Sequence, residues 1–376
     1  MRKLLIANRG EIAVRIIRAA RELGIGVVQA VSAADRDMLA ARLADEVVEI
    51  GPAPAAKSYL DREAVLRAAV ASGADAVHPG YGFLAENASF AEAVEHAGLI
   101  FVGPRPETIR LMGDKARARG VAAAAGVAII PGTHDRGLDG QALLSRARDI
   151  GFPLMVKAAA GGGGRGIRIA STAEGLAGIV AEAQSEAKAA FGDGAVYFER
   201  FIPLARHVEV QVLGDGERVI HLFERECSLQ RRRQKIWEEA PAACLTPRQR
   251  SALCASAVRL ATTVGYRGAG TLEFLLDEAS GEFFFMEMNT RIQVEHPGTE
   301  MVTRRDLVRE MLCIADGKKL SLAQEDVTLV GHAIECRINA EDPRRGFLPA
   351  PGIVREVDVP GGPEVRFDTM LYPGYA

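Results

Sequence analysis

Apolar and polar residues alternate along this chain in two distinct regimes. Near the N-terminus, Leu4-Leu5-Ile6-Ala7 is a continuous apolar run, which reads as a parallel strand buried on both faces. Ile12, Ala13, Ile16, Ile17, Ala20 and Leu23 then fall on one face of a helix that Asn8-Arg9-Gly10 opens and Gly24 closes. A second apolar run, Gly26 to Val31, precedes Ala33-Ala34-Asp35-Arg36-Asp37 and a second helix through Leu43. The alternation continues through Ala74 to Gly80 and Leu99 to Gly103. Strand and helix taken in turn predict a doubly wound, Rossmann-like α/β domain over residues 1–112.

From Gly113 to Val330 the period changes. Runs with a two-residue repeat, separated by glycine-containing turns, predict antiparallel hairpins mixed with helices, an α+β region. After Gly331 only short strands are expected, His332 to Asn339 and Gly352 to Val359, so 331–376 reads as a β-rich region that stops in mid-element.

Composition narrows the function classes. At 376 residues the chain is long enough for two or three domains. A formal net charge of −3 argues against a nucleic-acid partner, the one dense basic run being Arg231-Arg232-Arg233-Gln234-Lys235. Cys227, Cys244, Cys254, Cys313 and Cys336 are odd in number, widely spaced and without a C-x-x-C pair, which suggests reduced thiols in a cytoplasmic protein. The first apolar run is too short for a leader and nothing later approaches a membrane span, so no membrane partner is expected.

Candidate chemistry begins at AAAGGGGRGIRIA, Ala158 to Ala170. Gly161, Gly163 and Gly166 fit a dinucleotide fingerprint, and Gly161 with Gly166 fits the start of a P-loop. Both motifs must run into a helix, whereas Ile167-Arg168-Ile169-Ala170 alternates as a strand and supplies no Lys-Ser/Thr. The segment therefore reads as strand, glycine-rich turn, strand. It is either a mobile surface loop or bare backbone N–H groups over a polyphosphate, flanked by Lys157 and Arg165.

Three polar rows add to it. Thr271 to Asp277 and Phe283 to Asn289 flank a Gly-containing turn; a three-residue loop over Ala279-Ser280-Gly281 would pair Glu278 with Glu282 and set Glu273 opposite Glu287, with Asn289 and also Phe283 and Phe285 on that face. Opposed carboxylates repel unless a cation lies between them, and hard oxygen ligands suit Mg²⁺ carrying a nucleotide phosphate; the plain alternative is a solvent-facing polar sheet. Next, Arg291, Gln293 and Glu295 project to one side of an extended Thr290–Pro297 segment, as a salt bridge or as a small-anion site. Finally, His207, Glu209 and Gln211 share a strand face, though a lone strand histidine is commonly structural.

Together these segments resemble the biotin carboxylase component of biotin-dependent carboxylases, in the ATP-grasp superfamily. The resemblance spans essentially the whole chain: KLLIANRGEIAVRIIRAARELGI, ADAVHPGYGFLAENASFA, MGDKARAR, KAAAGGGGRGIRI, RHVEVQV, QRRRQKIWEEAPA, FMEMNTRIQVEHP, GHAIECRINAEDP and PGYA. It implies a Rossmann-like N-terminal domain (1–112), an ATP-grasp module (113–330) with a glycine-rich lid subdomain over about 131–203, and an incomplete C-terminal domain (331–376), since relatives continue past PGYA.

Carried over by position, the resemblance assigns Lys115 and Lys157 to the ATP phosphates. Gly161, Gly162, Gly163, Gly164, Arg165 and Gly166 become the lid, and Glu199, Arg200, Ile202, His207 and Gln230 the adenine and ribose contacts. Glu273 and Glu287 face ATP and, with Asn289, ligate two Mg²⁺ or Mn²⁺ ions. Lys235, Arg291, Gln293 and Val294 hold bicarbonate, Glu295 is its general base, and Arg337 stabilises the biotin enolate. ATP, bicarbonate and carrier-bound biotin are the implied substrates, a biotin carboxyl carrier protein or domain and a carboxyltransferase component the partners, and a homodimer the assembly. Two positions depart from the family: Arg233 stands where His, Asn or Phe is usual, and Gly298 where Val is usual, loosening the turn beside Glu295. The competing expectations are another ATP-grasp carboxylate ligase and an inactive binding or assembly fragment.

Overall fold

The computed structural model describes residues 1–133, 140–158, 167–191 and 193–376. The first apolar run forms β1 (Lys3–Ile6), followed by β2 (Gly26–Ser32), β3 (Glu46–Gly51), β4 (Ala76–His78) and β5 (Ile100–Phe101). All pair in parallel in the order β3-β2-β1-β4-β5. Leu4 and Ile6 enter the apolar cluster on one side of this sheet and Leu5 and Ala7 the cluster on the other, which is why β1 carries no polar alternation. The helix Gly10–Glu22 buries Ile12, Ala13, Ile16, Ile17 and Ala20, and Gly24, at φ +69°, ends it. Strand order reverses between β1 and β4, where α/β sheets open a crevice. There the Asn8 side-chain amide donates to the carbonyls of Pro79 and Tyr81, both at 2.7 Å.

A three-stranded antiparallel sheet, β6 (Leu154–Ala158), β7 (Ile167–Ala170) and β8 (Val196–Arg200), is ordered β7-β6-β8. The helices Gly140–Ile150 and Leu176–Phe191 cover it. β6 and β7 pair antiparallel, Lys157 opposite Ile167, as the strand–turn–strand reading requires. The glycines Gly161 to Gly166 and Arg165 lie outside the described residues.

The central sheet has six strands: β9 (Ala205–Asp215), β10 (Val219–Arg231), β11 (Gln234–Ala240), β12 (Arg267–Asp277), β13 (Phe283–Asn289) and β14 (Ala333–Cys336), ordered β13-β12-β9-β10-β11-β14. Val208, Val210, Val212, Leu272, Phe274 and Leu276 pack beneath the helix Pro247–Thr263. The period of two then sends Glu209, Gln211, Thr271 and Glu273 to the other face.

The β12–β13 hairpin departs from expectation in an instructive way. It closes one residue earlier, at Asp277 and Glu282, because the Asp277 carboxylate takes the Ala279 N–H and the Ser280 hydroxyl, both at 3.0 Å. Gly281 is left-handed, at φ +72°. A bulge at Met286 then restores the register, so Glu273 does oppose Glu287, and Thr271 opposes Asn289. The extra residue also reverses the parity of Phe283 and Phe285: they face the apolar side, edge-on to Phe274, instead of sharing the carboxylate face.

Three further expectations are corrected. Thr290–Pro297 is not extended throughout, since a turn at Val294-Glu295 leads into the helix His296–Thr303. Gly298 lies inside that helix, where it does not loosen a turn, and an added Cβ would meet nothing closer than 3.8 Å. In the last region β14 joins the central sheet by pairing with β11. Gly352–Val359 forms no strand; Val354 bonds Gly374 and Tyr375, while its neighbours have no ladder partner among the described residues. Ile338, Ile353, Val359 and Val365 are exposed. Tyr372 lies under the Arg42 guanidinium, 4.1 Å from ring centre, and so fastens this region to the N-terminal sheet. All five cysteines are free, and among the described residues no helix is long and apolar enough to cross a membrane.

Candidate active site

A cleft of about 930 Å³ opens between the polar face of the central sheet, the β4 loop at Tyr81-Gly82 and the start of the last region. Its floor is the middle of the sheet, where Glu209, on β9, lies directly opposite Glu273, on β12, which in turn opposes Glu287. Three carboxylates in a row repel one another, and the cations that offset them come from the neighbouring strands. Lys235, near the start of β11, places Nζ 2.6 Å from Glu209, 3.1 Å from Glu273 and 2.5 Å from Glu295. Arg225, on β10, is fully buried; it donates to Glu209 at 2.8 Å and reaches Gln211, Thr299, Thr271 and Gln293. A bulge at Phe223, whose φ is +62°, sets the parity that aims Arg225 inward while Glu224 turns to Arg250.

The charges respond to this packing. Burial opposes ionisation of Glu209, yet Lys235, Arg225 and His207 hold its carboxyl well below the ordinary range. Burial likewise works against Glu273, but His207 and Lys235 bring it to about 2. Burial disfavours the Lys235 cation, and Glu209, Glu295 and Glu273 more than compensate. His207 lies 3.3 Å from Glu273 and 3.7 Å from Glu209; against burial, those carboxylates raise it to about 9.

Most residues expected at the site line this one cleft. His207 is joined at 3.1 Å by Gln230. Asn289 donates to Glu273 at 2.9 Å and Gln293 to the same oxygen at 3.1 Å. Lys115 reaches Glu287 at 3.3 Å. Arg291 is held by Glu86 at 2.9 Å and by the Asn289 amide oxygen at 3.1 Å. Val294 and Glu295 follow on the turn, and Arg337, just beyond β14, crosses to Glu295 at 2.9 Å. Glu273, Glu287 and Asn289 thus offer two carboxylates and an amide oxygen side by side, a donor set that fits a hard divalent cation.

Four expected residues lie at the edge of the three-stranded sheet, outside the lining. Lys157 pairs with Glu199, which Arg119 also engages. Arg200 is 3.9 Å from Asp277, and Ile202 packs with Ile130 and Phe284 beside Leu275, itself a lining residue. Sequence reasoning missed Arg225, Glu238, Glu86 and Arg119, and saw Glu209 only as one of a polar row. The available signal was the charged triplet Glu224-Arg225-Glu226 in the middle of an apolar strand, all three buried.

Comparison with known proteins agrees along the whole chain. Residues 1–109 match the family model for the biotin carboxylase N-terminal domain, 114–323 that for the carbamoyl-phosphate synthase L chain ATP-binding domain, and 335–376 that for the biotin carboxylase C-terminal domain. The biotin carboxylase of Pseudomonas aeruginosa is 54% identical over 379 aligned residues, covering 100% of this chain and 84% of that protein. A chloroplastic biotin carboxylase of Populus trichocarpa is 51% identical, over 99% of this chain and 71% of its own length. Among solved structures, a Campylobacter jejuni biotin carboxylase in complex with β-γ-ATP superposes with a TM-score of 0.92 at 45% identity, covering 100% of this chain and 83% of that one. The biotin carboxylase domain dimer of Hydrogenobacter thermophilus 2-oxoglutarate carboxylase, bound to MgADP, ADP and bicarbonate, gives 0.91 at 47% identity, over 100% and 82% of the two chains. With identity near one half over its full length and a shared fold, the chain belongs to the biotin carboxylase family of ATP-grasp proteins.

Proposed function

We propose that this cleft carboxylates biotin with bicarbonate at the expense of ATP, through carboxyphosphate, giving carboxybiotin, ADP and phosphate. The observation that carries the reading is the meeting of Lys235 and Arg337 on Glu295, with Arg291 lining the same cleft on Asn289 of the Glu273–Glu287–Asn289 oxygen set. Lys235, Arg291, Gln293 and Val294 hold the bicarbonate anion, and the Glu295 carboxylate accepts its proton. The deprotonated oxygen then attacks the γ-phosphoryl group and ADP leaves. Lys115 and Lys157 meet negative charge on the phosphates, and the glycine-rich segment Gly161 to Gly166 is assigned as a lid that keeps water from the labile product. Glu199, Arg200, Ile202, His207 and Gln230 orient the adenine and ribose. Glu273, Glu287 and Asn289 would hold magnesium or manganese, which would supply positive charge to offset that of the phosphates.

In the second half, carboxyphosphate breaks to carbon dioxide and phosphate. The phosphate takes the ureido proton of biotin, Arg337 stabilises the resulting anion, and the ureido nitrogen bonds to carbon dioxide. Biotin arrives on a carrier protein or domain, with a carboxyltransferase component as the downstream partner, a homodimer as the assembly and a reducing, cytoplasmic location in keeping with five free thiols.

The test is bicarbonate-dependent ADP release together with carboxylation of free biotin. ADP release that ignores bicarbonate would favour a different ATP-grasp ligase. Arg337→Ala should abolish carboxybiotin formation and leave nucleotide binding intact; lost nucleotide affinity would contradict its role. Glu287→Ala should weaken nucleotide binding only when Mg²⁺ is present, and an unchanged metal requirement would remove it from the ligand set.

A further inference from the structure

Two carboxyl groups behind Arg337 have no part in the scheme above. Glu238, on β11, and Glu335, on β14, are directly opposed across the antiparallel pair that joins the last region to the central sheet, so their side chains share one face. The Glu238 side chain is only 1% exposed. One of its oxygens accepts from Arg337, Nε at 2.7 Å and Nη2 at 2.5 Å; the other, Oε2, is buried and has no hydrogen-bond partner among the described residues. Glu335 accepts the Gly298 N–H at 3.2 Å through its own Oε2.

The charges facing this pair are three further side chains besides Arg337: Glu295, from the turn before the helix His296–Thr303, Glu209, on β9, and Arg225, on β10. Arg337 already serves both Glu238 and Glu295. Two ionised carboxylates in this register, with a third close by, would repel one another more than one guanidinium offsets. A buried oxygen without a donor is a second cost. A single proton removes both, because a carboxylic acid has an O–H to give.

We propose that Glu238 and Glu335 share one proton, Glu335 donating its O–H to the unpartnered Oε2 of Glu238, and that this acid–carboxylate pair positions Arg337 against Glu295. Burial, then the like charges of Glu238 and Glu295, push the Glu335 carboxyl up to about 8. Burial likewise raises Glu238, with Arg337 opposing. The folded protein therefore keeps a proton that the unfolded chain gives up above its ordinary value of 4.5. The stability that this proton contributes falls as pH rises from there to about 8. Above that the proton goes to solvent, both carboxylates are charged, and Arg337 is drawn between competing anions.

The catalytic consequence rests on the role proposed for Arg337, whereas the proton itself can be read without turnover. In the whole protein, infrared titration should reveal a protonated carboxylic acid that survives at neutral pH and ionises near pH 8, and Glu335→Gln should lack it. Glu335→Gln, whose amide still donates toward Glu238, should retain neutral-pH kcat and lose the alkaline fall in kcat. Glu335→Ala should lower kcat by about tenfold to a hundredfold, with KM for ATP unchanged, as expected for a displaced guanidinium. No neutral-pH acid absorption in the unmodified protein, or an alkaline limb in Glu335→Gln matching the unmodified protein, would overturn the proposal. Absence of all carboxylation with the acid absorption present would instead count against the function assigned to the cleft.

Discussion

Arg225 shows what one buried charge does here. Its guanidinium is fully enclosed, pairs with Glu209, and bonds side chains from β9, β12, the segment after β13 and the helix that follows. It ties the sheet floor to the turn bearing Gln293 and Glu295 without lining the cleft. Arg225→Met leaves the fully buried Glu209 with only Lys235 and His207 as cations and its other oxygen without the guanidinium, so we expect a loss of about 3–5 kcal/mol of folding stability, read from denaturant unfolding. A midpoint equal to that of the unmodified protein would mean that Lys235 and His207 suffice to carry the Glu209 charge.

At the scale of elements, the polar face depends on two bulges and on one tight contact. The bulge at Met286 and that at Phe223 choose which of two successive side chains faces the cleft. β12, the strand that carries Glu273, also passes so close to Tyr266 that a Cβ on Gly270 would lie 2.3 Å from the tyrosine hydroxyl oxygen. That hydroxyl donates to the Ala269 carbonyl at 3.0 Å, and the ring is completely buried, so it has nowhere to retreat. Gly270→Ala should therefore lower stability by about 1–3 kcal/mol and reduce Tm. An unaltered Tm would show that Tyr266 can be displaced without cost.

Across the whole molecule, distant parts of the chain meet at one buried carboxylate. Glu300, in the helix after the site turn, accepts from Arg15 of the first helix at 2.9 Å and from Arg366 of the last region at 2.6 Å. Arg15 also reaches Asp306 at 2.6 Å. The N-terminal sheet, the central sheet and the last region are thereby coupled over the elements that deliver Tyr81, Glu295 and Arg337 to one cleft. Arg15→Met should weaken this coupling, so that calorimetry resolves two unfolding transitions in place of a single cooperative one. A single transition at an unshifted Tm would place the coupling elsewhere.

The sequence by itself determined a great deal, because its signals are local. Continuous apolar runs could only be strands covered on both faces, and the helix from Gly10 could only bury its Ile12–Ile16 side. A glycine run leading into Ile167-Arg168-Ile169 excluded a phosphate loop ending in a helix. Arg337 entered the short list through the family resemblance and Glu295 through its polar row, while hairpin spacing set Glu273 opposite Glu287 with Asn289 on the same face. Their pairing came out right although the turn did not, since the early closure at Asp277 and the bulge at Met286 cancel in the count between Glu273 and Glu287. Only the tertiary structure decided parity and counter-charge. A bulge is one unpaired residue whose place depends on both strands, so sequence periodicity could not show that Phe283 and Phe285 turn away. Whether Glu209 or Glu238 is a buried anion or a solvated one depends on Lys235, Arg225 and Arg337 arriving from other strands, and that is fixed by the order in which the sheet assembles.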